Sequence, residues 1–364
     1  MTEVLTRDQL SRATLARQML LAREKITVPR AVERLAGLQA QLARPPFIGL
    51  WSRIEGFRAE DLARAVHDRK VVRATLMRGT LHLMTTKDYL ELRPALQPLL
   101  SEAFVGVLKE RATRIDLDQV TKAARTCLDE QPRTFEDLRA VLGKAWPGLD
   151  PRALGYAVRM HLPLVQVPTE TRWGWPGAAC FAAAESWIGK KMGKGGGAAA
   201  LVLRYLGAFG PASVRDAQTW SGMRSLADAF AALRPKLKVF HDEKGRELFD
   251  LPKAPRPPAG TLAPVRFLPD YDNLVLAHAD RTRVVPDAHR PRLATKNLQV
   301  PATFLVDGFV AGSWRIERAR SSAALVLTAF TQLSRKAKSD LTVEGTALLR
   351  FAESDAKTAE VRFS

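Results

Sequence analysis

The stretch "KVVRATLMRGTLHLM", residues 70–84, decides the fold of the N-terminal part of the chain. Its β-branched residues and its partial alternation of apolar and polar side chains predict two strands, and Gly79 predicts a turn or bulge between them. The preceding stretch "FRAEDLARAVHDR", residues 57–69, predicts a short helix. A helix that leads into a pair of strands is therefore the first structural motif of the sequence.

Two further helices are predicted upstream of this motif. The first spans residues 8–23. The second begins near Pro29, which a first helical turn tolerates because its missing N–H would have no intrahelical partner there. Each helix has an apolar stripe that we expect to face the core: Leu10, Leu15, Met19 and Leu20 in the first, and Val32, Leu35 and Leu38 in the second. Helices followed by a strand pair form the order of a winged-helix unit.

A second unit with the same order is predicted further along the chain. In "QPRTFEDLRAVLG", residues 131–143, Thr134 is a candidate helix N-cap because Asp137 follows three positions later, the spacing of a capping box. The extended stretch "LPLVQVPTETRWGWPG", residues 162–177, then predicts a wing-like hairpin. Residues 131–177 therefore resemble the first motif in their order of elements.

A third unit is predicted within "RYLGAFGPASVRDAQTWSG", residues 204–222. A helix ends there at Gly207 or Gly210, and Ser213 then caps a second helix with Asp216 at the third position. We predict an α+β fold of three tandem winged-helix units that form a concave basic channel. The alternative is an irregular all-α protein with some strands.

Composition shifts divide the chain. The Gly- and Lys-rich stretch 190–200 and the proline-rich stretch 251–260 predict connectors. Beyond them the sequence predicts a strand-rich C-terminal part with one helix at residues 321–336. The predicted boundaries are 1–90 for the first unit, 91–192 for the second, and 193–364 for the third unit with the strand-rich module.

The charge balance indicates a polyanionic partner. The chain has 56 Lys and Arg against 38 Asp and Glu, a formal net charge of +18. Nucleic acid is the first candidate, and a membrane surface is second because the basic residues are spread along the chain. We expect neither a secretory signal, because charges recur throughout residues 1–20, nor a run of about 18 apolar residues that could span a membrane.

Several familiar sites are not predicted. The two cysteines, Cys127 and Cys180, lie far apart outside any CxxC pair, which fits a reduced intracellular compartment and gives no zinc or iron–sulfur site. The glycine run 193–197 lacks the phosphate-loop pattern and predicts a linker. The aspartates of "PDYDNLVLAHADRTR", residues 269–283, leave a carboxylate-bound metal open, but turn formation or pairing with arginine is the favoured interpretation. We expect no metal and no cofactor.

Basic side chains on the predicted strands are candidates for DNA contacts. Arg73 shares a strand face with Thr75 and Met77, and His82 lies on the next strand with Thr80. Arg281 and Arg283 are two residues apart, so on a strand they would project from one face, where a phosphate backbone would suit them. The alternative for both sets is an ordinary solvated strand face.

Two glutamines close to each other raise a separate question. In "LAGLQAQLARPP", residues 35–46, Gln39 and Gln41 stand one residue apart near a double proline. On a continuous helix residues i and i+2 point about 200° apart, so the two amides could share a site only if the helix breaks around Ala40. Arg44 precedes a proline, which favours an extended backbone there. The alternative is a buried, capping Gln39 and a solvated Gln41.

Four stretches together resemble one known family. They are "GLQAQ" (37–41), "RATLMRGTLHLM" (73–84), "FLPDYDNLVLAHADRTR" (267–283) and "FLVDGFVAGSWR" (304–315). They are similar to the winged-helix DNA glycosylases of the AlkZ/YcaQ type, whose fold is three tandem winged-helix units around a basic channel. The resemblance spans most of the chain.

The resemblance implies an activity and a catalytic motif. The implied reaction is hydrolysis of the N-glycosidic bond of N7-alkylated purines, including bulky adducts and, in some members, interstrand crosslinks. The family motif in the AlkZ-like branch is glutamine, an aliphatic residue and glutamine, which Gln39, Ala40 and Gln41 match. Such a leaving group is already cationic and needs no general acid, so two amides that hold a water and stabilise positive charge suffice. We expect a monofunctional enzyme, since the motif offers no Schiff-base lysine.

Charge and family motif together select the expected DNA-binding residues, which are Arg73, Arg78, His82, Arg281 and Arg283. The expected partner is double-stranded DNA with alkylated purines, bound by a monomer in the cytoplasm near the nucleoid. A sequence-specific transcriptional regulator is the alternative, because winged helices also serve that function. A third class, an RNA-binding or nucleoid-structuring protein, would share the charge without needing the glutamine pair.

Overall fold

The computed structural model describes residues 3–194, 196–293 and 299–364, and within them it shows a mixed α+β fold. The N-terminal region contains four helices and four strands. They are β1 (Val4–Leu5), α1 (Arg7–Arg17), α2 (Val28–Arg34), β2 (Leu38–Gln39), α3 (Pro45–Trp51), α4 (Ala59–His67), β3 (Val71–Thr75) and β4 (Leu81–Thr85). The last three strands form a sheet in the order β2-β4-β3.

The predicted hairpin is confirmed. Strands β3 and β4 pair antiparallel, with Ala74 opposite His82. A 3₁₀ turn, Met77–Gly79, joins them, and Gly79 has a φ of 69°, a left-handed conformation that glycine adopts without steric cost. The stretch that decided the fold therefore forms the structural element against which the other regions pack.

A second region is mainly helical. It consists of α5 (Thr86–Leu92), α6 (Gln97–Leu108), α7 (Leu117–Glu130), α8 (Phe135–Ala145), α9 (Pro151–His161), β5 (Leu164–Gln166), β6 (Phe181–Ala183) and α10 (Ala184–Ile188). The predicted Thr134–Asp137 capping box is present at the start of α8. Strand β5 lies within the predicted wing, but its partner β6 lies beyond residue 177, because residues 167–180 form the connecting loop.

The third region packs on the β3–β4 hairpin. It consists of α11 (Gly197–Phe209), α12 (Val214–Ser221), α13 (Ala227–Leu233), β7 (Lys238–Asp242) and β8 (Glu247–Asp250), with β1 parallel to β7. The Ser213–Asp216 capping box predicted for α12 is present. One apolar core joins hairpin residues such as Met84 to Tyr205 and Trp220 of α11 and α12. The end of α12 is thereby held beside the hairpin turn.

The C-terminal region is a five-stranded sheet with a long helix. Its elements are β9 (Arg266–Leu268), α14 (Arg290–Leu293), β10 (Thr303–Val306), β11 (Phe309–Arg318), β12 (Ser322–Ala329), α15 (Arg335–Ala352) and β13 (Thr358–Phe363). The strand order is β13-β12-β11-β10-β9. Helix α15 covers one face through Leu341, Leu348 and Leu349, which are fully buried.

Two boundary predictions were wrong. The helix predicted at 321–336 is strand β12 followed by α15, because a short continuous apolar run such as "AALVL" does not distinguish a buried strand from a helix. The connector predicted at 190–200 already enters helix α11 at Gly197. Of the glycine run 193–197, Gly195 lies outside the described residues.

The break near the glutamines also differs from the prediction. Helix α2 ends at Arg34, and the chain leaves helical geometry at Ala36 and Gly37, whose φ angles are 53° and 87°. Ala36 N–H donates to Glu33 O and Gly37 N–H to Val32 O, at 3.1 and 3.0 Å, which is a Schellman motif. The break thus precedes both glutamines instead of separating them at Ala40.

The double proline begins a helix instead of ending one. Pro45 and Pro46 occupy the first positions of α3, where proline needs no N–H partner. Arg44 was expected to be extended, but it has helical φ and ψ angles of −71° and −42° as the N-cap of α3. Its guanidinium is held by Glu353 at 2.8 Å, a tertiary contact that no local sequence rule contains.

Candidate active site

Gln39 ends the edge strand of the hairpin sheet, and Gln41 follows two residues later, where the chain bends. Gln39 pairs with His82 of β4, and Ala40 N–H donates to Leu81 O at 2.7 Å. Gly37 makes this pairing possible, because a Cβ there would lie 2.7 Å from Leu83 O. The two glutamines are therefore not on one continuous helix, and the helical break predicted at Ala40 is not needed to bring their amides to one side of the chain.

The amide of Gln39 is held by an arginine from the hairpin turn. Gln39 is 7% exposed, and its Oε1 accepts a hydrogen bond from Arg78 Nη2 at 2.7 Å. The same Nη2 also donates to Asn273 Oδ1 at 3.1 Å. Because the arginine occupies the carbonyl end of the amide, Gln39 presents its NH₂ group as a donor to a reacting molecule.

Arg78 joins three parts of the chain at this point. Its Nη1 donates to Trp220 O at the end of α12, and its backbone has a φ of 54°, in the left-handed region. Gly222, just after α12, contacts the Arg78 backbone, since a Cβ on Gly222 would lie 3.0 Å from Arg78 Cα. Burial and the nearby charge of Arg281 lower the pKa of Arg78 to about 10, so the guanidinium remains charged near neutral pH.

His82 is a neutral member of this cluster. It is fully buried, and burial together with the charge of Arg78 lowers its pKa to about 3. Its Nδ1 lies 3.1 Å from Thr80 O, which makes Nδ1 the protonated nitrogen and leaves Nε2 as the acceptor that faces Arg78 Nη2 at 3.5 Å. His82 therefore supplies neither positive charge nor an acidic proton at neutral pH.

Gln41 is held through its backbone. Its side chain is exposed, with Oε1 at 3.4 Å from Leu81 N–H, a weak hydrogen bond. Arg73 donates through Nε and Nη2 to Ala40 O at 2.9 and 2.6 Å, and through Nη2 to Gln41 O at 3.3 Å. The Arg73 guanidinium also lies 5.0 Å from the ring of Trp175. Arg73 thus fixes the chain at Gln41, while the amide itself is held only by the weak contact with Leu81 N–H.

A buried ion pair supports the Gln39 side of the site. Arg53 binds Asp272 bidentately at 3.0 and 2.9 Å, and both side chains are at most 4% exposed. Asn273, the next residue, donates to Gly37 O at 3.3 Å and accepts from Arg78. Breaking such a pair by removing one partner typically costs about 3–5 kcal/mol, so the segment that positions Asn273 is firmly anchored.

The structure brings some of the expected DNA-binding residues together and places others in the interior. Arg78 and His82 surround Gln39, and Arg281 lies close enough to Arg78 to lower its pKa. Arg281 and Arg283 were expected on one strand face, but they belong to a 3₁₀ turn, in which residues two apart do not share a face. Arg283 is 5% exposed and donates to Pro211 O at 2.7 Å, so it supports the fold from inside.

The aspartates considered for a metal have other partners. Asp272 binds Arg53, while Asp280 accepts from Thr282 and binds Lys244 and Arg246. Within the described parts of the chain, no group of three or more His, Cys, Asp or Glu residues is close enough to hold a metal ion.

Sequence analysis did not select three residues that shape the site: Asn273, Trp220 and Trp175. Asn273 lies inside the quoted stretch 267–283, but an asparagine among turn-forming residues gives no signal of a contact with Arg78. Trp220 contributes a backbone carbonyl, which carries no side-chain signal, and Trp175 lies in the loop between β5 and β6. Only the long family-like stretch around Asn273 offered a signal that could have found any of them.

Comparison with known proteins identifies the class of enzyme. The sequence model of a family described as DNA glycosylase AlkZ-like matches residues 32–351. A curated relative, the interstrand DNA cross-link repair glycosylase of Streptomyces sahachiroi, is 25% identical over 352 residues, which cover 88% of this chain and 89% of the relative. These matches define the chain as a DNA glycosylase, a hydrolase that acts on N-glycosyl bonds. Within that class, the chain belongs to the AlkZ-like DNA glycosylase family.

A solved structure agrees in fold. The structure of the Streptomyces sahachiroi DNA glycosylase AlkZ matches with a TM-score of 0.79 and 21% sequence identity, and the match covers 99% of this chain and 100% of that chain. The family and enzyme class expected from the sequence are thereby confirmed, and a transcriptional regulator is not favoured. Among the described residues, no helix is long and apolar enough to cross a membrane.

Proposed function

We propose that the enzyme hydrolyses the N-glycosidic bond of N7-alkylated purines in double-stranded DNA, including interstrand crosslinks, without cutting the strand. The observation that carries this proposal is the arrangement of Gln39 and Gln41, two amides two residues apart beside strand β4, with the first oriented by Arg78. The crosslink substrate is proposed because the Streptomyces sahachiroi relative is named an interstrand DNA cross-link repair glycosylase.

The site chemistry suits a leaving group that is already activated. An N7-alkylated purine carries a positive charge, so it departs without a general acid. His82 is neutral with a pKa of about 3 and cannot protonate a leaving group near neutral pH. Unmodified purines need such protonation, so this site should spare undamaged DNA.

The two glutamines have different roles in this proposal. Arg78 holds the carbonyl oxygen of Gln39, so the NH₂ group of Gln39 can position the water through one lone pair of the water oxygen. The alkylated purine leaves as a neutral base with the electrons of the glycosidic bond, the water attacks C1′ with its other lone pair, and the proton that the water loses passes to bulk solvent. The positive charge of Arg78 makes the Gln39 side unfavourable for the oxocarbenium-like sugar. We therefore assign the stabilisation of that charge to the carbonyl oxygen of Gln41, which is exposed and has a second lone pair beside its weak contact with Leu81 N–H.

The architecture supports binding along a duplex. We assign winged-helix units to residues 1–90, 91–192 and 193–364, the last with the strand-rich module, because each range contains helices followed by a small sheet. A net charge of +18 favours strong, salt-dependent and largely sequence-independent binding in a basic channel between the units. Arg281 is the proposed direct DNA contact, while the contacts of Arg73, Arg78 and His82 suit positioning roles. The monomeric state and the location at the nucleoid stay predictions.

The test is release of N7-methylguanine from a labelled duplex under single-turnover conditions, with alkali and heat to reveal abasic sites. We expect Gln39→Ala and Gln41→Ala each to slow release by about 100-fold or more, the usual effect of losing a group that stabilises the transition state. Binding of undamaged DNA should persist in both variants. The matched control is Gln131→Ala, at an exposed glutamine after α7.

Three results would contradict the proposal. Absence of release from any N7-alkylated duplex, including a crosslinked one, would exclude the proposed substrates. Full activity in both glutamine variants would exclude the proposed site. Strand breaks before alkali treatment would show a second, strand-cleaving activity and exclude a monofunctional enzyme.

A further inference from the structure

A cavity lined by arginines lies in the second helical region, away from the glutamines. Its volume is about 400 Å³, and α8 and α9 form much of its wall. We call it the arginine pocket, after four of its lining residues: Arg111, Arg139, Arg152 and Arg159. Phe135 and Tyr156 add aromatic surface. Asp150 is the carboxylate among the lining residues, so positive charge predominates.

The arginines of the pocket are poorly neutralised by the protein. Asp150 binds Arg111 at 3.1 Å. Within the described ranges, Arg139, Arg152 and Arg159 form no ion pair within 4.0 Å, and the buried Nε of Arg139 has no hydrogen-bond partner. Burial, together with the charge of Arg139, lowers the pKa of Arg159. Guanidinium groups gathered without carboxylates can be satisfied by an anion from outside.

One glycine allows this arrangement. A Cβ on Gly155 of α9 would lie 2.9 Å from Arg139 Cγ and 3.0 Å from Arg139 Nε. The side chain of Arg139 therefore lies flat across α9 only because residue 155 has no side chain. Glycine costs about 0.5–1 kcal/mol in a helix interior relative to alanine, so this position has a stability cost that the placement of Arg139 can account for.

Contacts made by Arg159 and Arg73 connect the pocket to the segment that carries the two glutamines. Arg159 Nε donates to Thr75 Oγ1 of strand β3 at 3.2 Å, which leaves its Nη groups for other partners. Arg73, two residues earlier on the same strand, holds the carbonyls of Ala40 and Gln41. Burial and the charge of Arg159 lower the pKa of Arg73 to about 10, which indicates that the two guanidinium groups are electrostatic neighbours.

We propose that the arginine pocket binds a phosphate group, namely a phosphodiester of the DNA strand whose damaged base lies at Gln39 and Gln41. Planar guanidinium groups recognise phosphate bidentately, and among the described residues neither Arg139 nor Arg159 is paired with a carboxylate although both line the pocket. The proposal rests on the proposed function, because DNA is the polyanion that the enzyme must hold beside the glutamines. The pocket would set the position of the strand while the amides act on the base.

The test measures the affinity for an undamaged duplex as a function of salt concentration. Arg139→Gln should weaken binding by about tenfold, the effect of a lost charged hydrogen bond. It should also reduce the slope of log Kd against log salt by about 0.9, the value for one phosphate contact. The matched control is Arg350→Gln, which removes the same charge from an exposed position on α15 and should leave the slope unchanged.

A second variant separates position from charge. Gly155→Ala keeps all arginines and should not destabilise α9, since alanine is the better helix former. Its methyl group must displace Arg139, so binding should weaken and the slope should fall as in Arg139→Gln. Thermal melting of each variant shows whether the fold is intact. Unchanged affinity and slope in both variants would overturn the proposal.

Two further arms identify the source of the phosphate and separate this proposal from the catalytic one. Inorganic phosphate, followed by ³¹P line broadening, should bind the pocket weakly and compete with DNA. Phosphate binding without any effect of the variants on DNA binding would assign the pocket to a free ion and overturn the DNA contact. Gln39→Ala should lose base release while it keeps the wild-type DNA affinity and salt slope, so failure of the catalytic proposal would leave this binding result interpretable.

Discussion

The surroundings of Gln39 and Gln41 differ although the two residues have the same side chain. Gln39 is buried, and its amide is fixed by Arg78 within a cluster that includes His82 and Asn273. Gln41 is exposed, and Arg73 fixes its backbone while the amide is held only by a weak contact. One amide is thus oriented before substrate arrives, and the other is positioned but can turn toward it. This difference is why we assign the water to Gln39 and the sugar to Gln41.

The largest loss of base-release rate should come from removing the group that orients Gln39. Arg78→Met leaves Gln39 Oε1, Asn273 Oδ1 and the Trp220 carbonyl without their donor. Since a misplaced catalytic group can cost about 100-fold in rate, we expect the single-turnover rate of base release to fall by about that factor. The affinity for undamaged DNA should change by less than about threefold, because most phosphate contacts remain.

Two control variants test whether the loss of rate comes from the contact between Arg78 and Gln39. Arg78→Lys keeps the charge and one donor, so it should recover part of the rate. Arg93→Met removes another buried arginine, one that donates to Met160 O in the second region, and should leave the rate unchanged. A variant of Arg78 with weaker DNA binding and a wild-type rate would instead make Arg78 a DNA contact, as the sequence analysis expected.

A smaller effect is expected on the Gln41 side. Arg73→Lys keeps the positive charge but loses the fork that spans the carbonyls of Ala40 and Gln41. We expect the single-turnover rate to fall by about tenfold, or about 1.4 kcal/mol, with unchanged DNA affinity. Gln39 remains held by Arg78 in this variant, so the loss should reflect the Gln41 side alone.

The matched control for this change lies at the other end of the same hairpin. Arg69 donates to Trp187 O and lies 4.5 Å from the Trp187 ring, much as Arg73 contacts a backbone carbonyl and Trp175. Arg69→Lys should therefore leave the rate at the wild-type value. Equal rates in Arg73→Lys and Arg69→Lys would show that the backbone at Gln41 needs no such support.

The sequence predicted the elements whose cause is local. The hairpin turn at Gly79 and the capping boxes at Thr134 and Ser213 follow from the conformation or hydrogen bonding of a few neighbouring residues. The helical conformation of Arg44 was missed because its cause is an ion pair with Glu353, more than 300 residues away. Strand β12 was missed because its apolar run carries no periodicity that separates strand from helix.

The candidate site was likewise predictable only where its signal lies in a few neighbouring residues. Gln39 and Gln41 came from a five-residue motif, but the reason why they can act together did not, because helical periodicity was applied to a segment that had already left the helix at Ala36. The role of Arg78 depends on Asn273 and the Trp220 carbonyl, which the chain brings together from distant positions. Charge and family motif suggested phosphate for Arg283, but the structure buries it and shows an interior contact instead.

The smallest expected effect is that of pH on the rate, and it tests whether His82 is neutral in the cluster around Gln39. His82 has a pKa of about 3 and Arg78 of about 10, so neither group changes charge between pH 6 and 8. The single-turnover rate should therefore be nearly constant over that range once the enzyme is saturated. A rise or fall with a midpoint between pH 6 and 7 would show that a histidine titrates during the reaction.

Stability should nevertheless depend on pH in this range. The unfolded chain takes up a proton on His82 near pH 6.5 while the folded protein does not, so the free energy of unfolding falls as the pH drops. From pH 7.5 to 6.0 the expected loss is about 0.8 kcal/mol for each such histidine. His278, whose pKa burial also lowers to about 3, contributes in the same direction.

The measurement is urea unfolding at several pH values. His82→Gln should retain about half of the pH dependence that His82 and His278 together give to the free energy of unfolding. The matched control is His67→Gln, at an exposed position on α4. A His82→Gln protein that keeps the full dependence would mean that folded His82 takes up a proton as readily as the unfolded chain does. The Gln39 cluster would then gain a second positive charge as the pH drops, which our assignment of the two glutamines does not allow.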